Sequence, residues 1–464
     1  MAVEDDLLGV LKTWYDEKDP GDVFWRNSPT LRVIQKNMIG GKTYNVPLIF
    51  SSGSSAGDAT VAKSNYTANL TATNTQQFAV TYGQLFGYFQ MNNIDILAMR
   101  PLKGAWVPLP ALRMYQAMDS MRKLWATALF GTGFGEIGQV APSGYGITPT
   151  SITAATTGVT VIVPASYAYK LSIGDTIVWT NGATPGSTLR NVVGTIRKMA
   201  TPTGVTYPTV TLTIDTSAGT TFTPNATDWI ERYGCRSGST PLLPVGLPAW
   251  LPYDRTSLAT PFFGVDRSIN ETSAGQYVAR DMPNNEKRID TVTRAVDAAR
   301  TGGGIPDYIV TSNYDWYQMS IELQAQANYW QNINTGGKPN KNEVARGIAS
   351  MSTMFSTSWT QQQWDDPMCP IGYGWLIEKD EMEFVGLTNG EPITRDGITD
   401  NQPGGTSVGQ ASSPDLSFRN IIDNYLTIQP SSLTASGPGV EVILQIFGNF
   451  VVHNPSKHCV FKLF

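Results

Sequence analysis

The sequence predicts an α+β fold built from several units, with a β-barrel-like unit inserted in its middle. Three observations point there. Apolar residues alternate with period two on either side of a polar tip at 42–82, whereas a stripe at 111–130 recurs at helical spacing. Residues 147–235 then turn rich in Thr, Val and Gly with almost no helical pattern, and beyond 286 helix and strand alternate. Finally, 464 residues exceed the roughly 250–300 at which a single core stops growing, so two or three units are expected.

Taken in order, residues 4–17 predict a short amphipathic helix with Leu7, Leu8, Leu11, Trp14 and Tyr15 on one stripe, ended by Pro20 and Gly21. So short a helix is marginal alone and has to dock to be stable. Tyr44, Val46, Leu48 and Phe50 then alternate, a Gly/Ser-rich tip Ser51–Asp58 follows, and Phe78, Val80 and Tyr82 repeat the alternation on the return. The pattern is that of a long protruding hairpin. Two strands alone are not stable in water, so the hairpin needs a partner surface, from its own chain or another.

Met114, Met118, Met121, Trp125 and Leu129 mark the clearest helix, 111–130, entered at Pro108 and Pro110 and stopped at Gly131. At about 1.5 Å per residue it is roughly 30 Å long. Within 147–235, Thr209–Ile214 alternates cleanly, and 159–163 and 176–180 read as shorter strands between turn residues, which together suggest a small barrel or sandwich. Residues 246–283 are Pro-rich and irregular. Ile289, Val292, Val296 and Ala299 set a helix at 286–301 that stops at Gly302–Gly304. A strand at Tyr308–Thr311 follows, and Ser312 is the expected N-cap of a second helix near 313–330. A Gly/Asn/Thr/Pro-rich surface loop is expected at 386–415, and two strands, Val440–Val452 and Cys459–Phe464, close the sequence.

Only 15% of residues are charged, against roughly 25% in ordinary globular proteins. Surface that neighbours will cover has less use for charge, because desolvating ions is costly. The net charge of −5 and the lack of a Lys/Arg run argue against tight nucleic-acid binding. The acidic start does not resemble a signal peptide, and the longest nearly apolar stretch, Val442–Val452, is far below the ~20 residues that span a bilayer. Cys235, Cys369 and Cys459 are too scattered for a disulfide framework or zinc spacing and are expected as buried or incidental thiols.

No reactive constellation emerges from the motifs. Gly133–Gly138 matches G-x-G-x-x-G, but it follows a helix, whereas the dinucleotide motif follows a strand and opens a helix. Gly41-Lys42-Thr43 resembles the end of a phosphate loop, yet Lys36 stands where that loop needs its first glycine. The two histidines, His453 and His458, are expected to be solvated or at the core edge, and His458 should point away from Cys459 along a strand. The carboxylate pairs Asp365–Asp366 and Asp380–Glu381 are expected in solvated turns. Catalytic residues, cofactor ligands and metal ligands are therefore predicted as none.

Several stretches resemble the major capsid proteins of tailed bacteriophages, which share the Hong Kong phage shell fold. They are Asn27-Ser-Pro-Thr-Leu31, Gly40-Gly-Lys-Thr-Tyr-Asn-Val-Pro-Leu48, Phe78–Gly87, Leu124–Gly138, Gly246-Leu-Pro-Ala-Trp-Leu-Pro252, Pro261-Phe-Phe-Gly-Val-Asp-Arg267 and Asp366-Pro-Met-Cys-Pro-Ile-Gly-Tyr373. The order of parts resembles the family too. The resemblance implies an N-terminal arm (1–40), an E-loop hairpin with the start of the P-domain (41–90) and a P-domain with its spine helix (91–146). An inserted β-rich domain (147–235), an A-domain with the long loop (236–430) and C-terminal strands returning to the P-domain (431–464) would follow.

It implies a structural, non-enzymatic capsid protein assembling as hexamers and pentamers around double-stranded DNA, in the virion, after assembly in the host bacterial cytoplasm. Its partners would be copies of itself, a portal, scaffolding or decoration proteins where used, and DNA held by weak non-specific contact, with no membrane and no cofactor. Trp14, Tyr44, Val46, Leu48, Phe50, Phe78, Val80 and Tyr82 are the expected inter-subunit contacts. The hairpin begins at about residue 42, which leaves little room for a cleaved scaffolding segment. Other readings are an encapsulin-like nanocompartment, a carbohydrate- or peptide-cleaving enzyme with a β-accessory domain, and a tail or adhesion protein.

Overall fold

A computed structural model describes residues 28–39, 41–51, 74–92, 109–142, 146–182, 184–200, 208–256, 258–331, 362–387, 426–427 and 439–463. A helical turn α1 (Pro29–Val33) leads to β1 (Gln35–Ile39), the hairpin strands β2 (Tyr44–Ser51) and β3 (Asn74–Val80), and β4 (Gly83–Asn92). The long helix α2 (Leu109–Leu129) precedes β5 (Glu136–Gln139), β6 (Val159–Pro164), the short helix α3 (Ala165–Lys170), β7 (Thr176–Thr180), β8 (Leu189–Met199), β9 (Thr209–Thr216) and β10 (Trp229–Arg232). The two-residue strands β11 (Arg236–Ser237) and β12 (Thr240–Pro241), the turn α4 (Leu247–Trp250) and β13 (Gln276–Ala279) follow. Then come α5 (Arg288–Thr301), β14 (Tyr308–Thr311), α6 (Asn313–Gln331), β15 (Gln362–Asp365), β16 (Tyr373–Ile377), β17 (Met382–Leu387), β18 (Leu426–Thr427), β19 (Gly439–Val452) and β20 (Cys459–Lys462).

Three larger sheets organise these elements. The first is centred on the 14-residue β19, which pairs with β4, β17 and β18, while β1 lies parallel to β17. α2 packs on it through Met121, Trp125 and Leu129 of the face the sequence marked. Met121 and Trp125 are buried, the Trp125 ring lies 4.8 Å from that of Phe384, and a Cβ at Gly87 of β4 would come within 2.8 Å of Met121 Sδ. Gly87 is what lets the helix sit this close.

The second sheet, β5-β10-β7-β8-β9-β6, is wholly antiparallel and encloses its own core around Trp179, Ile196, Leu212 and Ile214. It includes β5, which lies ahead of the 147 boundary expected for the β-rich unit. The glycine motif explains itself here. Gly138 sits at φ +155°, and a Cβ there would lie 2.1 Å from the Tyr167 ring. It makes room for an aromatic ring, with no helix start behind it for a phosphate.

The third sheet, β13-β20-β16-β14-β15, carries α5. Ile289, Val292, Val296 and Ala299 of α5 meet Ile309, Leu376, Cys459 and Phe461. Ser312 caps α6 as expected, its Oγ accepting from Asp315 N–H at 3.1 Å and donating to Asp315 Oδ2 at 2.6 Å.

The expected C-terminal segment divides between sheets. β19 joins the long-helix sheet, but β20 inserts between β13 and β16 in the α/β sheet. Cys459, Val460 and Phe461 are all buried, with Cys459 and Phe461 facing the α5 core and Val460 the other core. A strand apolar on both faces needs cover on both sides, which this central position supplies. Likewise β17, expected with the α/β unit, belongs to the long-helix sheet, where Phe384 packs 5.1 Å from Phe450.

Candidate assembly surfaces

The hairpin β2–β3 forms a two-stranded sheet of its own, registered Tyr44↔Val80, Val46↔Phe78 and Leu48↔Gln76. Period-two alternation gives it two faces. Val46, Phe78 and Val80 point into the chain's own core, with the Phe78 ring 5.2 Å from Trp250 and 6.1 Å from Phe262. Asn45, Pro47, Gln77 and Ala79 form the exposed face. Val46, Phe78 and Val80 were expected between subunits; a side chain with no exposed surface has none to offer a neighbour, so they are core residues. Tyr44, Leu48 and Tyr82 are half-buried at the border of that core. Trp14, the Phe50 side chain and the tip beyond Ser51 lie outside the described residues.

The hairpin's root is fixed by polar contacts that no sequence motif announced. Glu383 of β17 accepts from His453 Nε2 at 2.8 Å, from Asn37 Nδ2 of β1 and from the Tyr44 hydroxyl of β2. Burial by itself would push this carboxyl up, but the His453 and Asn37 hydrogen bonds and the nearby imidazolium outweigh it and hold Glu383 low. The same hydrogen bond raises His453 against the opposing effect of burial. Nearby, Asn449 of β19 donates to Thr81 O at 2.7 Å and accepts from Val245 N–H at 2.6 Å, and Trp250 Nε1 donates to Phe450 O at 2.8 Å. Each of these three contacts ties segments 200 or more positions apart in sequence.

A second buried carboxylate clasps the start of the described chain. Asp366 accepts from Ser28 Oγ at 2.8 Å, Thr30 Oγ1 at 2.7 Å and Met368 N–H at 2.9 Å. It was expected in a solvated turn but is fully buried, and burial raises it despite these donors. Asp380 is exposed as expected, and Glu381 is held below its ordinary range, burial being outweighed by hydrogen bonds from Lys457 and Asn454. His458, expected to be solvated or at the core edge, is fully buried; its Nδ1 accepts from Glu378 N–H at 3.3 Å, and burial pushes it down to about 4. The three cysteines are buried free thiols, and burial pushes Cys235 and Cys459 up to about 12. Among the described residues no group of three His, Cys, Asp or Glu side chains could hold a metal ion, and no helix is long and apolar enough to cross a membrane.

Comparison with known proteins gives likeness of fold. No family model matches the chain, and neither does any curated protein. Among solved structures, it is similar to a chain of the cyanophage A-1(L) capsid asymmetric unit, at 10% identity and TM-score 0.46, covering 94% of this chain and 93% of that one. It is similar to a chain of Mycobacterium phage Bobi at 8% identity and TM-score 0.41, covering 94% and 90%. A virus-like particle from Pyrococcus furiosus gives 7% identity and TM-score 0.37, covering 96% and 97%.

Proposed function

We propose that this chain is the major capsid protein of a tailed bacteriophage, a structural protein whose copies assemble as hexamers and pentamers into an icosahedral head around double-stranded DNA. The observation that carries the reading is the hairpin β2–β3. It belongs to none of the larger sheets, has one face rooted in the chain's own core, and presents the other, Asn45, Pro47, Gln77 and Ala79, to the outside. Such a ribbon is held at its root and offers its outer face to a neighbour. The long helix laid on the sheet of β19, and the α/β sheet that carries α5, support the same reading.

Obligate interfaces of this type often bury roughly 2,000 Å² or more, and many weak symmetric contacts add up to a durable container. With a net charge of −5 and no Lys/Arg run, such a wall would touch the genome only by weak, non-specific contact instead of gripping it. The portal, any scaffolding or decoration proteins, and assembly in the host cytoplasm belong to the same proposal. The test is negative-stain microscopy of the protein expressed alone. Closed shells or isolated capsomers are expected, and deletion of Ser51–Asp58 should abolish closure. A protein that stays monomeric under every assembly condition while turning over a small molecule overturns the reading.

A further inference from the structure

The six-stranded sheet ends in β5 on one side and β6 on the other. The two edges are treated differently. On β5, the carbonyls of Ile137 and Gln139 accept from Lys170 Nζ and Tyr167 Oη, each at 3.1 Å, so side chains of α3 stand in for a missing strand. Among the described residues, β6 has no such cover.

The phase of the β6 ladder shows which groups are open. Ala165 N–H donates to Pro208 O at 2.9 Å, and β6 pairs Val163 with Val210, Val161 with Leu212 and Val159 with Ile214. Bonded and non-bonded pairs alternate in an antiparallel ladder, so Val163, Val161 and Val159 turn their backbone groups to β9. Thr160 and Ile162 turn theirs away. Thr211, opposite Ile162, agrees with this phase, because its carbonyl accepts from Ala200 N–H on the far side. Thr160 is exposed and Ile162 is 41% exposed. The open window has defined ends: Asp215 Oδ1 takes Gly158 N–H at 3.0 Å, and Pro164 has no N–H to offer.

Exposed edges are commonly guarded by charge or proline, as β2 is by Pro47. Val159–Val163 carries no charge and no proline. If two copies meet antiparallel about Val161, Thr160 of each lies opposite Ile162 of the other. Each such pair exchanges two backbone hydrogen bonds, and no like charges meet. We infer that β6 is a self-pairing edge, at which two copies of this chain join across a two-fold axis centred on Val161 and their sheets become continuous. The contact uses the same patch on both copies, as an isologous interface must. It needs only a second copy, so it can succeed or fail independently of shell closure.

Mixing full-length Thr160→Cys and Ile162→Cys proteins under mild oxidation tests it, since the native thiols are buried. Covalent dimers several-fold more abundant in the mixture than with either variant alone are expected; equal yields overturn the proposal. In sedimentation velocity, Ile162→Pro removes an outward N–H without touching the β9 ladder and should weaken self-association about tenfold. A folded Ile162→Pro protein that associates like the parent also overturns it. If that variant does not fold, the cysteine mixture decides.

Discussion

Replacing Phe78 by Ala separates a core role from a contact role for the hairpin's inward face. The side chain is fully buried and meets the rings of Trp250 and Phe262 edge-on. Losing its burial costs about 2–3 kcal/mol in transfer free energy. Two aromatic contacts add roughly 1–2 kcal/mol, and the residual cavity brings Phe→Ala in such settings to about 3–5 kcal/mol. The assay is urea unfolding of the unassembled subunit followed by near-UV circular dichroism, which reports the packing of the buried aromatic rings, Trp250 among them. Because a chain with several units need not unfold in one step, the shift is read on the transition that carries this signal. The Gln77→Ala change on the opposite face should leave that transition within about 0.5 kcal/mol. The reasoning fails if Phe78→Ala costs less than about 1 kcal/mol in the subunit while abolishing assembly, because Phe78 would then be working between copies.

Asp366→Ala orphans these buried donors and should cost about 3 kcal/mol, with a Ser28→Ala/Thr30→Ala background recovering part of that loss in a double-mutant cycle by thermal unfolding. His458 is pushed down to about 4 from an ordinary 6.5, so the unfolded chain binds the proton more readily. Its contribution, up to about 3 kcal/mol, is present above pH 6.5 and lost as pH falls toward 4; urea midpoints at about pH 7 and pH 4.5 should differ accordingly, and His458→Asn should flatten the difference. His453 runs the other way. Its raised value makes the Glu383 pair fully present below pH 6.5 and lost as pH rises through the folded value, a slope that His453→Ala should remove. Gly138→Ala should destabilise the six-stranded unit by more than about 2 kcal/mol, read from the tryptophan-fluorescence transition to which Trp179 contributes, since the new methyl meets the Tyr167 ring at a positive φ.

Local periodicity was enough to place the hairpin strands, the long helix, β14 and the cap of α6, because each of these is set by neighbours within a few residues. The alternation of Val46, Phe78 and Val80 likewise marked one face of the hairpin for burial. It could not say whether that face meets its own chain or another, because burial pattern is blind to the owner of the covering surface. Trp250 and Phe262, far along the chain from Phe78, decide it. The same blindness hid Asp366, Glu383 and His458. A carboxylate or imidazole in a turn-rich stretch looks solvated until distant Ser28, Asn37 or Glu378 is brought against it. Sheet membership of β17 and β20 was equally out of reach, since strand pairing across the chain is fixed by which apolar faces fit together and not by the residues along either strand. The amino-acid order therefore determined the elements and the polarity of their faces; tertiary packing decided which partners those faces meet, because only the folded chain brings the far residues within contact distance.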